Sequence, residues 1–125
     1  MIGENGNGEK ILLVGVELEN DTIDIANSMD ELEELVNAAG GIVISRVIQK
    51  KNSIDAAYFI GKGKAEEIKN YCHELGIDFV VFNDELSGAQ LRNLESIIDR
   101  KIVDRTNLIL DIFANRATSK EGKLQ

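Results

Sequence analysis

The sequence predicts an α/β domain with about four mainly parallel strands and helices on both faces of the sheet. Short apolar runs alternate along the chain with longer segments in which apolar residues recur every three or four positions. This alternation of strands and amphipathic helices is typical of right-handed βαβ units. The length of 125 residues, with 43% hydrophobic and 29% charged residues, suits one soluble globular domain.

The first predicted strand is residues 10–18, KILLVGVEL, an uninterrupted apolar run of the kind that is buried on both faces of a parallel sheet. Residues 1–8, which are rich in glycine and asparagine, are predicted to be a flexible lead-in. The first helix is predicted to begin at Ser28, because Ser28 and Glu31 have the spacing of a capping box. Gly40 and Gly41 are predicted to end this helix. Its apolar face contains Met29, Leu32, Leu35, Val36 and Ala39.

Residues 42–51, IVISRVIQKK, alternate in polarity and are rich in β-branched side chains, which predicts a second strand. Residues 57–60, AYFI, are predicted to be a short strand-like piece. It leads into a helix over residues 63–76, with Gly76 as the C-terminal cap. The inward side chains of this helix are expected to be Ala65, Ile68, Cys72 and Leu75.

Residues 78–82, DFVVF, are the next predicted buried strand. Ser87 and Gln90 have the spacing of another capping box, and Leu86 and Leu91 occupy the two positions of a hydrophobic staple. A helix is therefore expected directly after this strand. Its core face contains Leu91, Leu94, Ile97 and Ile98.

A short last strand is predicted at residues 101–104, followed by a helix that Thr106 caps. The domain is predicted to span residues 9–117. The side chains expected to face inward from the last helix are Leu108, Ile109, Ile112, Phe113 and Ala117.

Acidic residues are concentrated at the start of the chain. The first 40 positions contain ten of the 22 acidic residues but only one of the 14 basic residues. The net charge of −8 disfavours a general nucleic-acid coat, although a local basic face remains possible in the balanced remainder. No apolar run has the length of a membrane span and the N-terminus does not resemble a secretory signal, so the cytoplasm is the expected location.

The chain has one cysteine, Cys72, and one histidine, His73. An intramolecular disulfide and a thiolate metal cage are therefore excluded. Cys72 is expected to be a buried, inert thiol and His73 a surface residue of the same helix. No metal site and no catalytic residue are predicted.

The stretch YFIGKGKAEEI, from Tyr58 to Ile68, has the composition of a phosphate-binding loop. Its spacing does not fit one. The P-loop pattern would require glycine at Tyr58 and serine or threonine at Ala65, and the dinucleotide pattern begun at Gly61 ends on a glutamate. No nucleotide-binding site is therefore predicted in this chain.

Lys62 and Lys64 nevertheless lie at the start of a predicted helix, where the helix dipole does not favour positive charge. A free helix N-terminus beside two lysines is a candidate anion site, and neither lysine is expected to have an anion within the chain. A phosphate of an RNA backbone would relieve the repulsion. The alternative is that both lysines are simply solvated.

Asn83, Asp84 and Glu85 follow a buried strand, which is where α/β sheets place ligand residues. They could hold a metal, or Asp84 could accept a phosphoryl group as in a receiver domain. A receiver also needs an acidic pair after the first strand, which Glu17 and Glu19 match only loosely, and a fifth strand with a lysine, which is not evident. A turn leading to the next helix cap is therefore favoured.

Three segments, FIGKGKAEEI, DELSGAQLRNLE and VDRTNLILDIFANRATSKEGKLQ, occur in that order from Tyr58 to Gln125. Together they resemble the N-terminal domain of the HflX family of ribosome-associated GTPases. One departure is Gly88, where the family usually has a proline that would preset the first helical turn.

The resemblance implies an N-terminal α/β domain followed by a helical arm, which would begin at residues 118–125, and then a GTPase domain that this chain lacks. GTP and Mg²⁺ are expected to bind that missing domain, so the chain alone is not expected to hydrolyse GTP. The implied partners are the rRNA of the large ribosomal subunit and the protein's own GTPase domain, which this domain would modulate. The candidate phosphate contacts are Lys62, Lys64, Arg92, Arg105, Arg116, Lys120 and Lys123.

Two alternatives from other functional classes remain open. One is a domain that binds a small molecule or ATP through Gly61–Lys64. The other is a receiver-like signalling domain that uses Asp84.

Overall fold

The computed structural model describes residue 2 and residues 8–124, with side chains described up to Ala114. The described residues form four strands and four helices. In chain order they are β1 Lys10–Leu18, α1 Ile25–Ala38, β2 Ile42–Lys51, α2 Lys62–Leu75, β3 Phe79–Phe82, α3 Gly88–Ile98, β4 Lys101–Val103 and α4 Arg105–Leu124.

The four strands form one parallel sheet in the order β2-β1-β3-β4, which confirms the predicted fold class. The chain moves from β1 to one edge of the sheet, returns to the other side of β1, and then continues outward to β4. The direction of winding therefore reverses between β1 and β3. In open parallel sheets, ligands bind outside the carboxyl ends of the strands at such a reversal.

β1 is buried on both faces, which explains its uninterrupted apolar run. Leu12 and Val14 pack into a core that also contains side chains of α2 and α3. Ile11 and Leu13 point to the opposite face and pack with side chains of α1 and α4. Helices therefore cover both faces of the sheet, as predicted.

The predicted start of the first helix is wrong. The helix begins at Ile25, and the carboxylate of Asp24 caps it by accepting a hydrogen bond from the Asn27 N–H at 3.2 Å. Ser28 is one turn inside the helix, where its hydroxyl accepts a hydrogen bond from the Asn83 side-chain amide at 2.8 Å. Asp24 therefore caps the helix in place of Ser28, and the Ser28 hydroxyl forms a tertiary hydrogen bond instead.

The capping box of α3 is confirmed. The Ser87 hydroxyl accepts from the Gln90 N–H at 3.1 Å, and the Gln90 side chain accepts from the Ser87 N–H at 2.9 Å. The predicted cap of α4 is wrong, because Asp104 rather than Thr106 accepts from the Asn107 N–H, at 2.9 Å.

The strand-like interpretation of residues 57–60 is also wrong, since these residues form a turn. Most predicted inward side chains of the helices are buried or partly buried. The exceptions are Leu75 and Phe113, which are 41% and 62% exposed. The side chain of Ala117 lies outside the described residues.

The backbone of α4 continues without a break past residue 117, where the arm was predicted to begin. Residues 1 and 3–7 of the predicted lead-in lie outside the described residues. In the part of the chain that is described, no helix has both the length and the apolarity needed to cross a membrane.

Candidate functional site

All four described helices begin at the edge of the sheet where the strands end, because each helix follows a parallel strand. Side chains cap three of these N-termini: Asp24 caps α1, Ser87 caps α3 and Asp104 caps α4. The N-cap residue of α2 is Gly61, which has no side chain to make a capping bond. Among the four described helices, α2 is thus the one whose first N–H groups have no side-chain cap. Such groups attract anions.

Asp55 organises the loop that leads to α2. Its carboxylate accepts hydrogen bonds from the N–H groups of Tyr58 and Ala57, both at 2.8 Å. These two bonds hold the pKa of Asp55 below its ordinary value. The backbone of Asp55 also pairs with that of Phe59 in both directions, at 3.1 and 2.9 Å.

Phe59 has a positive φ of 66°, which is unusual for a residue other than glycine. The Ile60 N–H donates to the Tyr58 carbonyl at 2.6 Å, so Phe59 is the centre of a γ-turn. The Phe59 ring is buried and meets the Phe82 ring edge-on, with centroids 6.2 Å apart. Burial of this ring holds the strained turn and so directs the chain toward Gly61.

The two lysines of α2 differ in their surroundings. Lys62 is exposed and forms no ion pair with any residue that the structure describes. The Lys64 ammonium lies 3.2 Å from the Glu67 carboxylate on the next turn. The prediction that neither lysine has an anion within the chain is therefore wrong for Lys64.

Lys51 is a third cation at this N-terminus, and sequence reasoning missed it. The Lys51 ammonium lies 3.9 Å from the position that a Cβ atom on Gly61 would occupy. The Gln49 side chain, from the same strand, accepts from the Gly61 N–H at 3.0 Å. The signal in the sequence was that Lys51 ends a predicted strand in a parallel sheet.

Charge is divided across this edge of the sheet. A cleft of about 410 Å³ lies at the ends of β1 and β2, which are paired as far as Leu18 and Lys51. Glu17, Glu19 and Asp21 line it on the β1 side, and Lys50 and Lys51 line it on the β2 side. Lys51 therefore shares a cleft with three carboxylates and also lies near the start of α2.

Arg92 projects from α3 and is exposed. α3 is tied to the loop before α2, because the Gln90 side chain donates to the Asp55 carbonyl at 3.0 Å and the Asn93 side chain donates to the Ala57 carbonyl at 2.9 Å. The structure thus connects the helix of Arg92 to the loop that presents Lys62.

Arg105, the first residue of α4, belongs to a different part of the edge. Its guanidinium donates to the Asn83 side-chain oxygen at 2.7 Å and to the Glu31 carboxylate at 3.3 Å. Asn83 is buried and donates in turn to the Ser28 hydroxyl. This network joins the end of β3 to α1 and α4 at the reversal point of the sheet.

A cleft of about 240 Å³ lies at this reversal point. It is lined by Val16, Glu17, Leu18, Asp21, Ile23, Ile25, Ser28, Asn83, Asp84 and Arg105. Burial raises the pKa of the Asp84 carboxyl, and the charge of Asp21 raises it further, while that of Arg105 opposes both. The lining holds three carboxylates and one guanidinium, so an anion would have to compete with these carboxylates for Arg105.

The receiver alternative gains no support from this geometry. The cation near Asp84 is Arg105, and the described residues form four strands without the fifth, lysine-bearing strand that a receiver needs. Among the described residues, no group of three or more histidine, cysteine or acidic side chains could hold a metal ion. The side chains of Arg116, Lys120 and Lys123 lie outside the described residues, in the last part of α4.

The chain is similar in sequence to proteins of one family. Residues 26–114 match the family described as "GTP-binding GTPase N-terminal". A GTPase HflX from Lacrimispora saccharolytica is 50% identical over 117 residues, which are 94% of this chain and 27% of that protein. The GTPase HflX of Escherichia coli is 41% identical over 118 residues, again 94% of this chain and 27% of that protein. The chain thus spans about a quarter of the length of these relatives.

Solved structures share the fold. The chain matches the crystal structure of the G235P variant of SsGBP with a TM-score of 0.67 and 25% identity, over 93% of this chain and 35% of that one. A GTP-binding protein from Sulfolobus solfataricus in complex with GDP matches with a TM-score of 0.63 and 22% identity, over 85% of this chain and 30% of that one. The chain belongs to the GTP-binding GTPase N-terminal family and is an N-terminal domain of the HflX type.

Proposed function

We propose that this domain is the accessory, ribosome-binding domain of an HflX-like GTPase. It would act in the cytoplasm, contact rRNA phosphates of the large ribosomal subunit, and modulate the GTPase domain of the same protein. GTP and Mg²⁺ would bind that other domain. Two facts support this division of labour: the 125 residues contain no P-loop, and the HflX relatives are nearly four times as long as the matched region.

The observation that carries the proposal is the uncapped start of α2. Its N–H groups and the positive end of its dipole favour an anion. Lys62 and Lys51 add positive charge at the same place without an anion bound to either in the described chain. An RNA phosphate would satisfy both the N–H groups and the lysines. Lys64 and Arg92 extend this basic surface along α2 and α3.

The charge reversal Lys62→Glu/Lys64→Glu tests the proposal. We expect it to weaken binding to purified large ribosomal subunits by at least about tenfold, because it removes two phosphate contacts and adds repulsion. Co-sedimentation of residues 1–125 with the subunits at several salt concentrations measures the effect. The salt dependence of binding should also become shallower in the variant.

A matched control is Lys10→Glu/Lys101→Glu, which makes the same change in net charge at the amino ends of β1 and β4, on the opposite edge of the sheet. This control should bind almost as the wild type does. Equal losses in the two double variants would show that only total charge matters. Unchanged binding by the Lys62 and Lys64 variant would show that α2 is not the contact.

The phosphate of a free nucleotide is the second candidate for the same N–H groups, because an uncapped helix start does not distinguish the source of a phosphate. This is the ATP-binding alternative that uses Gly61–Lys64. Calorimetry of residues 1–125 with ATP and with GTP separates it from the ribosomal proposal. Nucleotide binding that Lys62→Glu/Lys64→Glu abolishes would favour this candidate.

A further inference from the structure

The guanidinium of Arg105 forms a short hydrogen bond to a buried partner and a longer ion pair with an exposed partner. Asn83 accepts at 2.7 Å and is itself fixed, because it is 7% exposed and bonded to Ser28 at 2.8 Å. Glu31 accepts at the longer distance of 3.3 Å, and its side chain is 59% exposed. Asn83 therefore sets the direction of the guanidinium, while Glu31 can leave without opening the core.

Glu31 occupies one of the directions from which an external anion would reach Arg105. An arginine fork binds carboxylate and phosphate in the same way. Only 27% of the Arg105 side chain is exposed. Asp84 and Asp21 line the same cleft as Arg105. An RNA phosphate approaching Arg105 thus meets carboxylates on the domain's own surface first.

We propose that the Glu31–Arg105 ion pair is an autoinhibitory contact, in which Glu31 acts as an internal substitute for an RNA phosphate. Phosphate binding would displace the Glu31 carboxylate, while Asn83 keeps the guanidinium in place. The pair would raise the threshold for binding and favour closely spaced phosphates that can compete with it. This inference rests on the proposed binding of rRNA.

A double-mutant cycle on residues 1–125 tests this contact, with purified large ribosomal subunits as the probe. Glu31→Gln should tighten binding about two- to fivefold, which is the range expected for release of an exposed ion pair. The gain should disappear in the Arg105→Gln background. It should persist in the Arg105→Lys background, which keeps the positive charge at this position.

Glu34→Gln is the matched control, because Glu34 is an exposed carboxylate on the same helix, one turn from Glu31. It reports the general benefit of removing negative charge near RNA. Its effect should be the same with Arg105 and with Arg105→Gln. Thermal unfolding followed by circular dichroism checks that each variant is folded.

The outcomes separate the two proposals. If the wild-type domain does not bind the subunits, the proposed function fails and this inference fails with it. If the wild type binds but the effects of Glu31→Gln and Arg105→Gln simply add, the ion pair is not autoinhibitory and the proposed function stands. A gain from Glu31→Gln no larger than that from Glu34→Gln would likewise overturn the inference.

Discussion

Phe82→Ala is expected to lower the free energy of unfolding by about 3–5 kcal/mol, the cost of truncating a fully buried phenylalanine. Phe82 is the last residue of β3 and is among the largest side chains that are completely buried. Its removal leaves a cavity between the sheet and the helices on the α2 and α3 face. Urea denaturation measures the change from the shift in midpoint at constant slope.

The same substitution should also affect the candidate anion site. The Phe82 ring is the edge-on partner of Phe59, whose γ-turn leads to the start of α2. Without this contact the strained turn loses much of what holds it. We therefore expect faster amide hydrogen exchange in residues 55–61 than the change in global stability accounts for.

Phe113→Ala is the matched control, because Phe113 is 62% exposed. An exposed substitution of this kind should change the free energy of unfolding by less than about 0.5 kcal/mol. Similar losses in both variants would contradict the importance given to Phe82. A loss below about 1 kcal/mol in Phe82→Ala would show that the core collapses into the cavity.

Asp104→Ala is expected to destabilise the domain by about 2–4 kcal/mol, from the loss of a helix cap and of a further buried hydrogen bond. Asp104 is 2% exposed. One of its carboxylate oxygens accepts from the Asn107 N–H in the first turn of α4, and the other accepts from the Leu86 N–H, both at 2.9 Å. The side chain thus joins α4 to the turn before α3, and alanine would leave the Leu86 N–H buried without this acceptor.

Asp24→Ala is the control for this prediction. Asp24 also caps a helix, but it is exposed and makes a single capping bond at 3.2 Å. Its loss should cost about 1 kcal/mol, as for an ordinary N-cap. Equal destabilisation by the two substitutions would show that the contact to Leu86 contributes nothing beyond capping. Thermal and urea unfolding of both variants make the comparison.

Features that depend on neighbouring residues in the chain were predictable. The α3 capping box requires only Ser87 and Gln90, which are three positions apart, and the structure forms it as predicted. The parallel sheet followed from a strand that is apolar at every position of its centre, since only a strand covered on both faces can bury both sets of side chains.

It was harder to predict which of two nearby candidate residues caps a helix. Asp24 and Ser28 are both good capping residues, and the choice fell to Asp24 because the Ser28 hydroxyl bonds to Asn83, 55 residues away. Nothing in the sequence pattern indicates that contact. Asp104 likewise displaced Thr106, because its carboxylate also satisfies the Leu86 N–H.

In the candidate site, too, some features could be predicted from local spacing and others depended on tertiary contacts. Local spacing identified Lys62 and Lys64 and excluded a P-loop, because a helix start and a phosphate loop are both defined by consecutive residues. Lys51 joined them only because β2 ends beside Gly61. The partners of Arg105 come from α1 and from the residue after β3, so the sequence could not show that they hold its guanidinium.

The sequence by itself determined the α/β class, the succession of strands and helices, and the family to which the domain belongs, because periodicity, caps and short motifs are local properties. The tertiary structure alone decided which helix starts remain open to an anion and which cations are already engaged. Those outcomes depend on residues far apart in the chain that meet at the carboxyl edge of the sheet. Tertiary contacts at this edge place Lys51 beside the uncapped start of α2 and hold the guanidinium of Arg105.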